Sequence, residues 1–290
     1  MKQQSVFQPN LAGQTKQMLD GAIEKLMSSL DAGRSDQLKL YLAAMGRFHN
    51  YSLGNAILIV LQCPEATHVA GYRTWKSLQR QVRRGSKGLA IMAPIVRRGD
   101  GEKEEDVVVA FRTTHVFDIS QTEGQPLPEF ARVAGDPNAY FPRLKGFLEA
   151  RGIELCYSTA TGRAQGLSCG GKIILRPGLE PAEEFGTLVH ELAHEMLHRQ
   201  PDAEEKRSRT VRETEAEAVA FVVSVAAGLE YNSAGSDYIL TYGGNRETLM
   251  ASLDRVQKVA REIIDAIMPA PEAVVVSLDS TGSPEARAAA

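Results

Sequence analysis

The sequence predicts an α+β protein of two domains, a mixed helix and small-sheet domain followed by a mostly helical domain with a small sheet. Three observations lead there. The chain of 290 residues is longer than one typical hydrophobic core serves. Apolar residues recur at helical spacing in both halves, while short apolar or alternating runs between them read as strands. A stretch rich in Pro and Gly, Gly124 to Pro142, separates the two series. The expected limits are 1–124 for the first domain, 125–142 for a linker, 143–268 for the second domain and 269–290 for a disordered tail.

Taken in order, Leu11, Met18, Leu19, Ile23, Leu26, Met27 and Leu30 predict a first helix over 10–31, ending at Gly33. Ser35 reads as the N-cap of a second helix to Phe48, and Ser52 opens a third that stops at Gln62, before Pro64. A short helix over 73–81 holds Trp75, the only tryptophan. Leu89–Val96 and Val107–Phe117 read as strands of a hairpin, with Gly99-Asp100-Gly101 and an acidic loop to Asp106 between them. The second half reads as a helix (140–151), a strand (153–157), a glycine-containing loop (162–171), a strand (172–176) and helices over 181–199 and 211–229. Asn245 caps a last helix through Ile267. The strand Gly171–Arg176, taken as an edge, could pair with an extended peptide.

Hydrophobic content of 43% and charged content of 24% exclude a wholly disordered, collagenous or coiled-coil chain. Cys63, Cys156 and Cys169 are far apart and form no CxxC pair, so neither a disulfide framework nor a cysteine-only zinc site is supported. The polar start and the shortness of every apolar run point to a cytoplasmic protein with no membrane partner. The net charge of −3 hides a split: residues 1–98 hold 14 Lys and Arg against 5 Asp and Glu. Residues 71–98 carry eight basic groups and no acidic one, which suggests a polyanion partner. Tyr51, Tyr72 and Trp75 interleave with Arg73, Lys76, Arg80, Arg83, Arg84 and Lys87. Basic groups for phosphates and aromatic faces for bases are what single-stranded DNA requires.

His190-Glu191-Leu192-Ala193-His194 is an HExxH sequence, the zinc metallopeptidase signature. Positions i and i+4 share a helical face, so both imidazoles can reach one ion, and Glu191 is placed to take a proton from water there. Phe185, Leu188, Val189, Leu192, Ala193, Met196 and Leu197 give the opposite side an apolar stripe. His198 lies about 12 Å further along the axis than His190, too far to share the ion, and reads as a solvated or cleft-rim residue. A third ligand is expected from the next helix, where Glu213, Glu215 and Glu217 compete. Glu215 shares a face with Ala218, Val219, Val222 and Ala226, where a carboxylate is costly to bury unless it meets a cation. Glu215 is the choice on that ground, Glu213 and Glu217 being read as exposed charges. Tyr238 is a candidate oxyanion partner by residue type only.

The segment Phe185–His198 followed by Glu213–Phe221 resembles the ImmA/IrrE-like gluzincin domain of ArdC-type antirestriction proteins. Tyr51–Asn55, Gln62–Thr67, Ala70–Trp75, Arg84–Gly88 and Val116–Gly124 resemble the single-stranded-DNA-binding domain that precedes it in that family. The resemblance covers roughly residues 10–267. It implies a second domain of gluzincin metallopeptidase type, single-stranded DNA as partner and Asn55 among the DNA-binding residues. It further implies Zn2+ or another divalent metal on His190, His194 and Glu215, and carriage on plasmids or other mobile elements. Leu78-Gln79 departs from the resembling pattern, which often has glycine before the residue matching Arg80. The expected function is thus a single-stranded-DNA-binding antirestriction protein whose zinc metallopeptidase domain hydrolyses peptide bonds in a protein substrate of unknown identity, with Glu191 as general base. Two alternatives are a DNA-protecting binding protein whose peptidase domain is dispensable and a regulatory protease that cleaves a repressor of a mobile element.

Overall fold

The computed structural model describes residues 11–97, 107–126, 136–162, 164–199, 208–229 and 246–268. The chain starts with three helices, α1 (Leu11–Asp31), α2 (Asp36–Arg47) and α3 (Leu53–Gln62). Ser52 caps α3, its Oγ accepting from the Asn55 N–H at 3.4 Å, which meets one of the donors that a helix start leaves open. Ser35 precedes α2 as expected but makes no side-chain cap.

Four strands and a short helix follow: β1 (Val69–Ala70), α4 (Tyr72–Ser77), β2 (Arg80–Val82), β3 (Leu89–Arg97) and β4 (Val107–Asp118), then β5 (Thr122–Gly124). The sheet order is β1-β4-β3, all antiparallel, and β2 pairs separately with β5. The helix expected over 73–81 is therefore shorter, and its last part is strand β2. The break falls at Gln79, whose φ of +56° makes it the one non-glycine residue with positive φ among the described residues. This is the position at which the sequence lacks the expected glycine. Strand β3 is an edge, and α3 covers it. Asn55 Nδ2 donates to Met92 O at 2.8 Å, and Asn55 Oδ1 accepts from the Met92 N–H at 2.9 Å. Gln62 repeats the pattern at Ala90, at 2.9 Å both ways. Two amides seven residues apart on a helix thus occupy alternate residues of an edge that would otherwise be free to pair.

The second half begins with α5 (Pro137–Ala150), followed by β6 (Glu154–Tyr157), β7 (Gly166–Ser168) and β8 (Lys172–Leu175). Helix α5 starts inside the expected linker, because Asp136 Oδ1 accepts from the Asn138 N–H at 2.9 Å and Pro137 suits a first helical turn. Strand β8 lies in the middle of its sheet, parallel to β6 and antiparallel to β7. The edge expected at Gly171–Arg176 is therefore provided by β7, which falls within the expected loop 162–171.

Three long helices complete the chain: α6 (Pro181–His198), α7 (Arg209–Ala226) and α8 (Arg246–Ile267). Asn245, the turn Gly99–Gly101, Tyr238 and the tail 269–290 lie outside the described residues. The two halves share one apolar core, in which Leu38, Leu42 and Met45 of α2 join Val219, Val222 and Val223 of α7. Helix α2 meets α7 at Gly46, where a Cβ would lie 2.6 Å from Val222 O. The two halves therefore pack face to face along α2 and α7. No helix among the described residues is long and apolar enough to cross a membrane.

Candidate metal centre

Helix α6 buries the stripe expected of it: Phe185, Leu188, Val189, Leu192 and Ala193 are fully buried. Its other face presents His190 and His194, one turn apart, with ring centroids 4.9 Å from each other. Helix α7 packs across this face. Its first turns bring Glu213 to both imidazoles, Oε2 lying 3.7 Å from His190 Nε2 and 3.5 Å from His194 Nε2. The two Nε2 atoms are 3.2 Å apart. Ligands about 2.1 Å from a tetrahedral ion lie about 3.4 Å from each other, so this triangle of donors already has the size such an ion needs. Two imidazoles and a carboxylate suit Zn2+ or Mn2+ by donor chemistry.

The carboxylate that stands beside the two imidazoles is that of Glu213, and not that of Glu215. Glu215 is fully buried on the other side of α7, where Arg255 and Ser252 of α8 each donate to its Oε1 at 2.5 Å. Its Oε2 accepts from His198 Nε2 at 3.0 Å. Burial opposes its charge, but the bonds from His198, Ser252 and Arg255 prevail and hold its pKa at about 2. The cation that the face argument required is a guanidinium. Glu217 is also buried, and its Oε2 accepts from His190 Nδ1 at 3.1 Å. His198 is enclosed rather than solvated, its side chain 6% exposed. Glu213 and Glu217 repeat on α7 the i, i+4 spacing of His190 and His194 on α6.

Each histidine therefore uses Nδ1 to reach away from the centre, His190 to Glu217 and His194 to His198, and turns Nε2 inward. Burial of His190 works against its protonation, yet Glu213, Glu217 and Glu191 outweigh it and raise its pKa to about 9. Burial and the neighbouring His190 lower His194 to about 4. The hydrogen bond from His190, opposed by burial, takes Glu213 down to about 2. Glu191 is raised, first by burial and further by Glu213 and Glu195, with His190 pulling the other way. A carboxyl group raised in this manner is better matched to proton transfer near neutrality than an exposed one.

The three side chains and Glu191 line a cleft of about 1120 Å³. Its opposite rim includes β7, which passes so close over Glu191 that a Cβ on Gly166 would lie 2.7 Å from Glu191 Cγ and 2.8 Å from Oε1. Glu195, buried beside it, accepts from Ser168 Oγ at 2.6 Å and from the Gly170 and Gly171 N–H groups at 2.8 and 2.6 Å. That carboxylate holds the turn between β7 and β8 against α6.

The residues expected to meet DNA divide into two sets. Trp75 is 1% exposed and donates from Nε1 to Phe117 O at 2.9 Å, so it is a core residue. Tyr51 packs against the core and donates to Val69 O at 2.9 Å. Asn55 holds β3. Arg80 donates to Thr122 Oγ1 at 2.8 Å and Arg83 donates to Ser120 O, so both brace the segment around β5. Tyr72, Arg73, Lys76, Arg84 and Lys87 are exposed. Tyr72, Arg73 and Lys76 come from α4, and Arg84 and Lys87 from the turn after β2.

Residues 16–117 match the family model of the N-terminal domain of anti-restriction factor ArdC. An uncharacterized protein of Bacillus anthracis is 24% identical over 305 aligned positions, covering 88% of this chain; the chain spans about half, 51%, of that relative. The fold is similar to two crystal structures of the antirestriction protein ArdC from plasmid R388, both at 20% identity. The metal-free structure has a TM-score of 0.54, covering 86% of this chain and 97% of the other. The Mn(II)-bound structure has a TM-score of 0.53, covering 87% and 98%. The chain therefore has the fold of ArdC and carries, over residues 16–117, a match to the N-terminal domain of that anti-restriction factor.

Proposed function

We propose that this chain is an antirestriction protein of ArdC type that binds single-stranded DNA through its basic half and holds a divalent metal between α6 and α7. His190, His194 and Glu213 would hold the ion. The triangle formed by their three inward-facing donor atoms carries this reading. The Mn(II)-bound structure of the R388 protein supports it, since that relative shares the fold and takes a divalent cation. Bound there, such an ion supplies Lewis acidity, polarising a carbonyl and making water more acidic.

The chain's own part in peptide hydrolysis falls to Glu191 and β7. The raised pKa of Glu191 suits it to accept a proton as water oxygen attacks the peptide carbon. The same carboxyl group then returns the proton to the leaving nitrogen as the C–N bond breaks. Strand β7 offers a sheet edge on which an extended peptide could lie beside that carboxyl.

The test of the ligand set is calorimetric titration of Mn(II) and Zn(II) into the full-length protein and into Glu213→Ala. We expect one equivalent bound by the first and none by the second; equal affinity in the two would refute the assignment. Glu191→Ala is expected to keep the metal and lose peptide cleavage. If that variant retains full antirestriction activity, protection comes from covering the strand and not from proteolysis.

A further inference from the structure

We propose that His198 and Glu215 are positioning residues of the metal centre, forming with Ser252 and Arg255 a buried relay that sets the tautomer and ring angle of His194. The proposal rests on the reading of His190, His194 and Glu213 as ligands. It assigns a role to two side chains that take no part in ligation, one of them 12 Å along the helix axis from His190 by the rise of an α-helix.

Glu215 is fully buried, and its Oε1 is taken by Ser252 Oγ and by the Arg255 guanidinium. An ionised carboxylate has only acceptor sites. Its remaining oxygen, Oε2, lies 3.0 Å from His198 Nε2, so that nitrogen must carry a hydrogen. A neutral imidazole with hydrogen on Nε2 has a lone pair on Nδ1. His198 Nδ1 lies 3.2 Å from His194 Nδ1, and one of two facing nitrogens must donate. With His194 Nε2 as the ligand atom, the hydrogen between them belongs to His194 Nδ1 and His198 Nδ1 accepts it. That leaves the lone pair of His194 on Nε2, which is the atom facing His190 Nε2 at 3.2 Å and Glu213 Oε2 at 3.5 Å. On His190 the outer nitrogen, Nδ1, meets a carboxylate directly, that of Glu217 at 3.1 Å.

The relay uses three helices. His194 and His198 stand one turn apart on α6, Glu215 comes from α7, and Ser252 and Arg255 come from α8. A ligand histidine whose other nitrogen is held loses little orientational freedom on binding an ion, which is why such outer partners affect affinity. His198 thus replaces, for one ligand, the carboxylate that Glu217 supplies to the other.

The experiment is Mn(II) titration of the full-length protein and of His198→Phe, His198→Gln and Glu215→Gln, with circular dichroism to show that each variant is folded. The phenyl ring removes the acceptor, whereas the Gln amide oxygen at 198 can accept from His194 Nδ1. We expect affinity to fall about 10–100-fold in His198→Phe and to be partly restored in His198→Gln. A folded His198→Phe that binds Mn(II) within twofold of the parent would overturn the relay. If the parent itself binds no Mn(II), the ligand assignment fails instead, and the two failures are distinct. A second readout needs no substitution. Long-range 15N–1H correlation spectra of the histidine-labelled, metal-free protein should show His194 with hydrogen on Nδ1 and His198 with hydrogen on Nε2. The opposite tautomer at His194 would overturn the proposal whether or not any variant folds.

Discussion

Replacing Gly46 by Ala tests the packing that joins the two halves. Alanine is the better helix former, and in an open helix position the change stabilises by about 0.5–1 kcal/mol. At Gly46 the added Cβ would sit 2.6 Å from Val222 O, 3.3 Å from Ala226 N and 3.5 Å from Val222 C. All three are backbone atoms of α7, so no side chain can swing aside. To restore even 3.0 Å, α2 and α7 must separate by about 0.4 Å along the contact, against a core that is already filled. Overpacking of this kind costs about 1–3 kcal/mol. Subtracting the helix gain leaves a net loss of about 1–2 kcal/mol, or a fall in Tm of about 3–6 °C for a protein of this size. Gly21 is the internal control, since it lies exposed in α1 with nothing within 4 Å of an added Cβ. Thermal melts followed by circular dichroism should therefore move in opposite directions, down for Gly46→Ala and up for Gly21→Ala. A rise in Tm for Gly46→Ala would show that the α2–α7 contact is looser than described.

Gln79→Gly should raise stability by about 0.5–1 kcal/mol, because the left-handed φ of +56° strains any side chain with a Cβ; a melt that shifts down would contradict this. Asp118 is buried, which would raise its pKa, but bonds from Ser120, Thr67 and His68 prevail and hold it below the usual carboxylate range. A depressed folded pKa contributes stability that is present above the unfolded value and lost as pH falls through the folded one. Asp118→Asn should therefore lower Tm at pH 7 and flatten the loss of Tm below about pH 4, and parallel curves for the two proteins would exclude Asp118 as the cause. Replacing Arg73 and Lys76 together by Ala should weaken binding of a DNA oligonucleotide and reduce the log–log salt slope by about 0.7 per residue, as phosphate neutralisation requires. Trp75→Phe should leave the affinity for that oligonucleotide unchanged while lowering Tm, since the ring is inside the core; a folded variant with weakened binding would show that the ring stacks on bases.

Helix positions and the HExxH face were legible because they depend on local rules. Ser52 caps α3 through its own next turn, and the stripe from Phe185 to Ala193 recurs at 3.6 residues whatever it packs against. The third ligand depended on a tertiary fact. Two residues along a helix turn a side chain through about 200°, so Glu213 and Glu215 look at different partners. The sequence shows that a buried Glu215 needs a cation, but Arg255 lies 40 residues on, and nothing local distinguishes a guanidinium from a metal. Aromatic residues posed the same problem. Tyr51, Tyr72 and Trp75 are equally suited to stacking by type, and only the positions of Val69 O and Phe117 O reveal that two of them are tied inward. Strand β7 was missed because three residues are too few to show alternation, and β2 because the left-handed Gln79 ends the helix without a glycine to mark it.

The face that α2 presents to α7 bears on how such a gene can be rearranged. A crossover placed in the Pro- and Gly-rich stretch would look harmless on paper, since that sequence reads as a connection between the two halves. Yet it would hand each hybrid an α2 surface shaped by one parent and an α7 surface shaped by another, meeting where a single methyl group is already too many. Chimeras between distant relatives should thus fail at the seam unless both helices travel together, and selection would transmit the two halves as one heritable block.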